Sequence, residues 1–301
     1  MKLVVTGGAG FIGSHLVKFL FRKGHDISVI DNLVQGKTEN LKSVEKEINF
    51  FKNDITDYVE IKNILKNVDG VFHEAALTSV LESFFKITEY RNVNIHGTEN
   101  IFKLAKEFGF KVVYASSASV YGNSITIPIT EEHNKKPINP YGSTKLEAEY
   151  LAEKYSKSGT PIIGLRYFNV YGKGQNPNYA GVITKFQENI MTEKSPIIFG
   201  DGLQVRDFIS VDDVCQANLA AMKNNVKNGF FNIGTGIATS IKNLADLMIS
   251  ISGKSLKPEY SSLPEGDVKL SQADIHLALK KLSWKPKITL KDGLRELLKP
   301  N

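Results

Sequence analysis

The chain has 301 residues, of which 42% are hydrophobic and 23% are charged, enough to bury the core of one large domain or two closely packed ones. The net charge of +6 raises the question of a nucleic-acid partner, but the basic residues are scattered and form no run interleaved with aromatic residues. We therefore expect no nucleic-acid partner, and a lysine-rich surface that suits anionic small molecules is the favoured interpretation.

Cysteine number, histidine spacing and apolar runs argue against a disulfide-bonded protein, a metal-binding protein, and a secreted or membrane-spanning protein. The single cysteine, Cys215, cannot form an internal disulfide, and we expect it to be a core residue of a cytoplasmic protein. The six histidines form no HxxxH pattern, so no metal site is expected. The first apolar run is too short for a signal peptide, and no run approaches the ~20 apolar residues of a membrane span. We therefore expect no membrane partner.

The amino-terminal stretch is predicted to form a strand, a glycine turn, a helix and a second strand that ends at an acid. The apolar run 3–5 precedes the turn TGGAGFIG at 6–13, a helical stretch follows, and a second strand over 27–30 leads to Asp31. This order is typical of a dinucleotide-binding unit, in which the pyrophosphate lies on free N–H groups at the helix N-terminus. The alternative is a glycine-rich turn between core strands without a ligand.

The residue types in the turn match this chemistry. Gly7 allows a tight turn, Gly10 allows a pyrophosphate to approach the backbone, and Gly13 allows the helix to pack closely against the strand. The spacing is GxxGxxG, which differs from the GxGxxG of many dehydrogenases. Asp31 can accept hydrogen bonds from a ribose 2′-OH and would repel a 2′-phosphate, so NAD is expected rather than NADP.

Strands and helices alternate up to residue 165, which predicts an α/β fold with a doubly wound parallel sheet, covered on both faces. The later strands are predicted at 48–53, 68–72, 111–115 and 162–165, and the helices at 58–67, 88–108 and 141–158. Asn139 is the expected N-cap of the helix at 141–158, and Pro140 suits its first position. Small residues at 75 and 76 follow the fourth strand, where a cofactor could lie against the backbone.

The alternation loosens after Arg166, and residues 172–181 are predicted to form a loop because they are rich in Gly, Asn and Pro. Helices are predicted at 182–192, 212–223, 240–252, 273–281 and 290–298, and strands at 196–199 and 230–233. We expect the later elements to form a smaller α/β lobe over the carboxyl edge of the sheet, where ligands of such sheets bind.

Three polar residues form a candidate catalytic group. Tyr141 and Lys145 are four residues apart near the start of a helix and therefore share one face. An ammonium beside a phenol lowers the pKa of the phenol, so Tyr141 could act as a base at neutral pH. Ser117, at the end of the preceding strand, could bind the same substrate hydroxyl. The alternative interpretation leaves Tyr141 in helix packing and Lys145 in solvent.

Motifs along nearly the whole chain resemble one family, the extended short-chain dehydrogenase/reductases, and within it the UDP-hexose 4-epimerases. The motifs are TGGAGFIG at 6–13, Asp31-Asn32, Asp54-Ile55, HEAA at 73–76, SSASVYG at 116–122, YGSTK at 141–145, RYFNVYG at 166–172, GDGLQVRDFISVDDV at 200–214 and FNIGTG at 231–236. The resemblance implies a Rossmann fold, NAD as cofactor, a UDP-sugar as substrate and a homodimer that pairs through the helices 88–108 and 141–158.

The resemblance also implies roles for individual residues. The catalytic residues would be Ser117, Tyr141 and Lys145. The residues that hold NAD would be Gly7, Gly10, Phe11, Ile12, Gly13, Asp31, Asn32, Gly36, Asp54, Ile55, Ala75, Ala76, Leu77, Tyr141, Lys145 and Phe168. The residues that hold the nucleotide sugar would be Ser117, Tyr141, Asn169, Val182, Phe199, Arg206 and Ser271.

Arg206 would clamp the diphosphate, because a guanidinium can bind two phosphate oxygens at once. Alternatively it forms an ion pair with Asp207 or another nearby acid. The implied domains are an NAD-binding Rossmann domain (1–168 with 207–236) and a nucleotide-sugar-binding lobe (169–206 with 237–301). The implied reaction is epimerisation at C4 of UDP-glucose or UDP-galactose through transient oxidation to a 4-keto sugar.

The sequence departs from the family pattern at two positions. Pro264 stands where an RxGD motif has its arginine, a second diphosphate clamp, and Lys269 is a candidate substitute. Ser271 stands at a gate beside the sugar, where tyrosine resembles enzymes restricted to glucose and galactose. The small serine, together with residues 174–183, suggests that UDP-GlcNAc and UDP-GalNAc are also accepted.

Other functions of the same fold remain open. Nucleotide-sugar 4,6-dehydratases carry Asp-Glu after the active-site serine or threonine, whereas this chain has Ala118-Ser119. An epimerase of nucleotide-linked uronates is another possibility. Non-catalytic NAD-binding relatives often lose the tyrosine or lysine of YxxxK, and both are present here.

Overall fold

The computed structural model describes residues 1–175, 181–262 and 268–299. Its strands, in chain order, are β1 (Lys2–Thr6), β2 (Asp26–Ile30), β3 (Asn49–Phe51), β4 (Gly70–His73), β5 (Lys111–Ser117), β6 (Ile162–Tyr167), β7 (Asn169–Tyr171), β8 (Ile197–Phe199), β9 (Val205–Arg206), β10 (Phe208–Ser210), β11 (Asn228–Ile233), β12 (Thr239–Ser240) and β13 (Glu259–Ser261). Its α-helices are α1 (Phe11–Arg22), α2 (Tyr58–Ile64), α3 (Val80–Ser83), α4 (Ile87–Arg91), α5 (Thr98–Phe108), α6 (Pro140–Lys157), α7 (Val182–Met191), α8 (Val211–Lys223), α9 (Ile241–Ser252), α10 (His276–Leu282) and α11 (Leu290–Leu298).

The central sheet has seven parallel strands in the spatial order β3-β2-β1-β4-β5-β6-β11. The strand order reverses between β1 and β4, whose ends are in register at Thr6 and His73. Ligands of open α/β sheets bind at such a switch point, beyond the carboxyl ends of the strands. The structure confirms the predicted doubly wound Rossmann fold.

Helices cover both faces of this sheet because its central strands are apolar on both sides. On one face, α1 packs against α8, and their buried apolar residues share a core cluster with Val5, Val29 and Ile163 of the strands. On the other face, α5 packs against α6 over Val4, Val71 and Val112. The central strands are therefore packed between helices on both faces.

A third core lies outside the large sheet. It is formed by α7, α9 and α11 together with β8, and it includes Phe186, Ile198, Leu244 and Leu294. The two-stranded sheets β10-β7, β12-β9 and β13-β8 also lie outside the large sheet. This separate core supports the domain boundaries inferred from the sequence, which stay a prediction.

The structure corrects several element predictions. The helix predicted over 88–108 is divided into α4, a π-helical segment (Asn92–Gly97) and α5. The helix predicted over 58–67 ends at Ile64, and the one predicted over 273–281 begins only at His276. The short strands β7, β9, β10, β12 and β13 and the short helix α3 escaped prediction, because elements of two to four residues carry no readable period.

Within the three described ranges, no helix combines the length and the apolar character that crossing a membrane requires. Cys215 is buried in the core beside α1, as expected from the sequence.

Candidate functional site

A cavity of about 580 Å³ opens at the switch point, at the carboxyl edge of the sheet. This volume is in the usual range for small-molecule sites. The sequence-predicted residues that line it are Gly7, Gly10, Phe11, Ile12, Gly13, Asp31, Asn32, Gly36, Asp54, Ile55, Ala75, Ala76, Leu77, Ser117, Tyr141, Lys145, Phe168 and Asn169. The structure thus brings every residue assigned to the cofactor, and all three catalytic candidates, to one cavity.

The glycine turn of this cavity has the close contacts that its residue types require. Gly7 has φ +68°, and a Cβ on it would lie 2.7 Å from the backbone of Ala75. A Cβ on Gly13 would lie 2.1 Å from the carbonyl oxygen of Gly7. Gly10 is the N-cap of α1 and makes no side-chain cap, so the first N–H groups of the helix are available to an anion.

The carboxylates at the ends of β2 and β3 are held in place before any ligand arrives. Asp31 accepts a 2.9 Å hydrogen bond from Ala9 N and a 2.8 Å bond from Leu33 N, so it also fixes the glycine turn. Burial raises the pKa of Asp31, and these two backbone bonds oppose the increase. Asn32 donates to Asp54 over 2.7 Å, which links the two predicted adenosine contacts.

The loop after β4 is positioned by the π-helical segment. Asn94 accepts a 2.8 Å hydrogen bond from Leu77 N and donates to Leu77 O and to Thr144 Oγ1, at 3.0 and 3.1 Å. One buried amide therefore joins the loop at 75–77 to α6, which carries the catalytic candidates. The extra residue in the helix turn aims Asn94 at both partners, a use typical of π-segments at functional sites.

The catalytic candidates stand at the ends of β5 and α6. Asn139 accepts from Gly142 N at 2.8 Å and caps α6 as predicted. Lys145 is only 7% exposed, its Nζ donates to Ala115 O at 2.9 Å, and the same Nζ lies 5.9 Å from the Tyr141 ring centre. The interpretation that leaves Lys145 in solvent is therefore wrong.

The ionisation of these groups differs from the sequence-based expectation. Burial raises the pKa of Tyr141, while a hydrogen bond with Ser117 opposes the increase. Burial also lowers the pKa of Lys145 to about 8, and the charge of Glu74 opposes that decrease. The expected depression of the tyrosine pKa by Lys145 is thus not the dominant effect in the protein alone, because desolvation of the phenolate is larger.

Sequence reasoning missed part of the lining. These residues are Ile30, Val34, Gln35, Asn53, Glu74, Thr78, Glu89, Asn92, Val93, Ala115, Ser116, Tyr167 and Val170. Gln175 and Gly181, which also line the cavity, lie in the stretch 174–183 that the sequence already linked to the sugar. Glu74 and Tyr167 belong to motifs that the sequence did single out, HEAA and RYFNVYG. The available signal was the acid of HEAA, which precedes two alanines. The direction of its side chain depends on the tertiary structure.

The remaining substrate candidates lie in the second part of the chain, outside the lining of this cavity. Val182 begins α7, directly after the lining residue Gly181. Phe199 ends β8 and is 39% exposed. Arg206 pairs with Thr239 through β9 and β12, and Ser271 is buried beside it, where Leu270 bridges to Val205.

Arg206 Nη1 donates to Val205 O at 2.9 Å. The carboxylate of the adjacent Asp207 instead accepts from Thr235 N and Oγ1, Gly236 N and Ala273 N, at 2.6 to 3.1 Å. Asp207 therefore anchors the FNIGTG turn. Pro264 and residues 176–180 of the stretch at 174–183 lie outside the described residues, and the Lys269 carbonyl oxygen accepts a hydrogen bond from Val205 N.

No group of three or more His, Cys, Asp or Glu in the described ranges is arranged to hold a metal ion.

Comparisons with known proteins agree with this geometry. Residues 3–234 match the model of the NAD dependent epimerase/dehydratase family. A solved UDP-N-acetylglucosamine 4-epimerase from Methanobrevibacter ruminantium, in complex with UDP-N-acetylmuramic acid, is 36% identical with a TM-score of 0.94 and covers 99% of this chain and 96% of its own. The UDP-glucose 4-epimerase of Thermotoga maritima, solved with UDP-glucose, is 38% identical with a TM-score of 0.93, over 98% and 96% of the two chains. A UDP-glucuronate 4-epimerase from Thermodesulfobacterium geofontis is 36% identical over 305 residues, 97% of this chain and 93% of its own.

Proposed function

The chain belongs to the NAD-dependent epimerase/dehydratase family, and from this premise we propose that it epimerises a UDP-hexose at C4. The proposed substrates are UDP-glucose and UDP-galactose, with UDP-GlcNAc and UDP-GalNAc also accepted. The observation that carries the proposal is one cavity, lined both by the glycine turn with Asp31 and by Ser117, Tyr141 and Lys145.

The residues present fit NAD, the cofactor of this family. The uncapped start of α1 offers N–H groups to a pyrophosphate, and Gly10 leaves room for its approach. Asp31 has two lone pairs on each oxygen and uses one per oxygen for Ala9 and Leu33, so it can still accept from ribose hydroxyls. When bound, NAD supplies the reversible oxidation and reduction of the sugar carbon.

In the proposed mechanism, Tyr141 takes the proton of the sugar 4-OH and returns it when the opposite configuration is formed. Ser117 binds the same oxygen, because its hydroxyl reaches Tyr141. Lys145 is fixed by Ala115 O and supplies a positive charge beside the phenol. The Tyr141 phenolate, which burial disfavours, would be favoured by the further positive charge of bound oxidised NAD.

Both faces of the sugar must be presented in turn, so the nucleotide is held firmly and the sugar loosely. Asn169 and Arg206 are proposed to bind the diphosphate end, and Val182 and Phe199 the nucleotide. Ser271 is proposed as the gate beside the sugar. Its side chain is small, which supports more room for a 2-acetamido group than a tyrosine would leave.

The decisive experiment offers UDP-glucose, UDP-GlcNAc and UDP-glucuronate separately to the purified protein and identifies the products. Interconversion of the first two with their C4 epimers is expected. Activity on UDP-glucose alone would contradict the role of Ser271, and activity on UDP-glucuronate alone would favour the uronate alternative. Loss of the C6 hydroxyl would indicate a dehydratase, for which Ala118 and Ser119 provide neither acid nor base.

We also propose a homodimer formed through the helical face that contains α4 and α6. Large apolar side chains on and beside this face are exposed, among them Phe84 at 51%, Ile87 at 50% and Tyr150 at 53%. Exposed apolar clusters of this kind mark protein interfaces. Light scattering of the purified protein tests this, and a monomer at all concentrations would contradict it. A cytoplasmic location stays a prediction.

A further inference from the structure

Glu74 is a half-buried acid in the lining of the cavity, and the proposed mechanism gives it no role. It follows β4 directly, and its backbone N donates to Thr6 O at 3.1 Å, so it is pinned at the switch point beneath the glycine turn. A Cβ on Gly7 would lie 3.0 Å from the Glu74 carbonyl carbon. Its neighbours in the lining include Tyr141 and Lys145.

A hydrogen-bond chain of fixed direction ends on the Glu74 carboxylate. Asn218 Nδ2 donates to Val214 O at 3.0 Å and to the Tyr167 hydroxyl oxygen at 2.7 Å. The Tyr167 proton is therefore directed at Glu74 Oε1, 2.9 Å away. A neutral hydroxyl compensates a buried carboxylate only in part, so the anion depends on positive charge elsewhere in the cavity.

The titratable groups around Glu74 come from three elements. Lys145 of α6 lines the same cavity, Tyr167 of β6 donates to the carboxylate, and Cys215 of α8 is near enough for the Glu74 charge to raise the pKa of its thiol. Burial raises the pKa of Tyr167 and of Cys215, so both are neutral at physiological pH. Burial raises the pKa of Glu74 to about 7, while the Tyr167 hydrogen bond and the Lys145 charge oppose the increase.

We propose that the Glu74 carboxylate keeps the Lys145 ammonium charged beside Tyr141 and so extends turnover to higher pH. Glu74 acts through Lys145 and is therefore a positioning residue. The inference rests on the proposed function, in which the charge of Lys145 supports the base Tyr141. It adds to that function a residue that sets the pH range of the reaction.

The first test compares the pH profile of kcat for wild type and Glu74→Gln, which keeps an acceptor for Tyr167 but has no charge. Below about pH 6 the wild-type Glu74 is protonated, so the two profiles should run parallel. Above pH 7 the wild-type anion raises the pKa of Lys145, and the variant lacks this effect. A nearby opposite charge commonly raises the pKa of an ammonium by about one unit or more. At pH 9 the kcat of E74Q should therefore be about tenfold lower than that of wild type.

Two further variants separate this role from a merely structural one. Glu131→Gln removes another half-buried carboxyl, which accepts from Asn232 N outside the cavity, and should leave the shape of the profile unchanged. Tyr167→Phe removes a hydrogen bond that lowers the pKa of Glu74, so its profile should follow E74Q at pH 7 and recover toward wild type at higher pH. A constant ratio of E74Q to wild type from pH 6 to 9 would overturn the proposal.

Thermal unfolding tests the same coupling without substrate. A carboxyl whose pKa is raised on folding costs stability as pH rises from about 4.5 to 7, so the Tm of E74Q should gain on wild type over this range. In a Lys145→Met background the pKa of Glu74 should be higher, and the gain should extend to higher pH. Identical gains in both backgrounds would overturn the coupling. If the wild type is inactive on every UDP-sugar, the proposed function is rejected. The pH dependence of Tm in the two backgrounds then still tests the coupling between Glu74 and Lys145.

Discussion

Two carboxylates beside the central sheet have opposite surroundings: Glu149 of α6 is fully buried, and Glu74, directly after β4, is half-buried. Glu149 accepts two 2.8 Å bonds from the Arg166 guanidinium, a 2.7 Å bond from Ser116 and a 3.4 Å bond from Lys135. Glu74 has one 2.9 Å bond from a neutral hydroxyl and faces the cavity. The first carboxylate is paired within the core, whereas the second is left incompletely compensated next to the reacting groups.

The difference indicates how this fold separates stability from chemistry. Burial opposes the charge of Arg166, but its bonds to Glu149 outweigh burial and raise the pKa of Arg166, so the guanidinium stays charged at any physiological pH. The cavity side instead carries Glu74 and Lys145 with pKa values shifted toward neutrality, to about 7 and about 8. Perturbed groups of this kind are typical of functional sites.

The largest effect is expected from Tyr141→Phe on turnover. Loss of a general base commonly costs ~10²–10⁴ in rate, so kcat should fall by that factor. The free energy of unfolding should change by less than about 1.5 kcal/mol, because a single hydroxyl is removed. Steady-state assays and urea unfolding of the same preparation measure both quantities. Near-normal turnover would remove Tyr141 from the mechanism.

The paired side should respond in stability. Arg166→Met leaves Glu149 buried without its main partner, which should lower the free energy of unfolding by about 3–5 kcal/mol. Urea unfolding measures the loss. The double variant Arg166→Met with Glu149→Leu removes both charges and should recover most of the lost stability. If the double variant is as unstable as the single one, the contrast between paired and unpaired carboxylates fails.

A smaller loss is expected from Tyr121→Phe in the same network. The Tyr121 hydroxyl accepts from Arg166 Nη1 and donates to Asn232 Oδ1, both at 2.7 Å. Its removal leaves these two buried groups short of one partner each, which should cost about 1–3 kcal/mol of unfolding free energy. Thermal unfolding compared with wild type checks this, and an unchanged Tm would show that the network tolerates the gap.

The smallest effect is expected at the surface. Lys242 and Asp246 on α9 form a 2.7 Å ion pair, but both side chains are 48% exposed. Lys242→Ala should therefore leave the midpoint of urea unfolding nearly unchanged, because solvent screens exposed pairs. If this variant loses as much unfolding free energy as Arg166→Met, then the loss of an ion pair, and not its burial, determines the destabilisation.

Much of the cavity was readable from sequence because its residues occur in short local motifs. The turn at 6–13 fixes strand, helix and anion-binding N–H groups within eight residues, and Asp31 follows at a set distance along the same unit. The strand–helix alternation to residue 165 likewise predicted the sheet, because parallel strands buried on both faces read as apolar runs. Local period and local turn chemistry suffice for such features.

The sequence by itself thus determined the parallel sheet, the glycine turn, the capped helix α6 and the identity of the groups at its start. Only the tertiary structure decided that burial outweighs the lysine at Tyr141, that a π-segment aims Asn94 at the loop after β4, and that Glu74 faces the cavity. These depend on the packing of residues remote in sequence, since desolvation and side-chain direction arise from neighbours that no local pattern encodes.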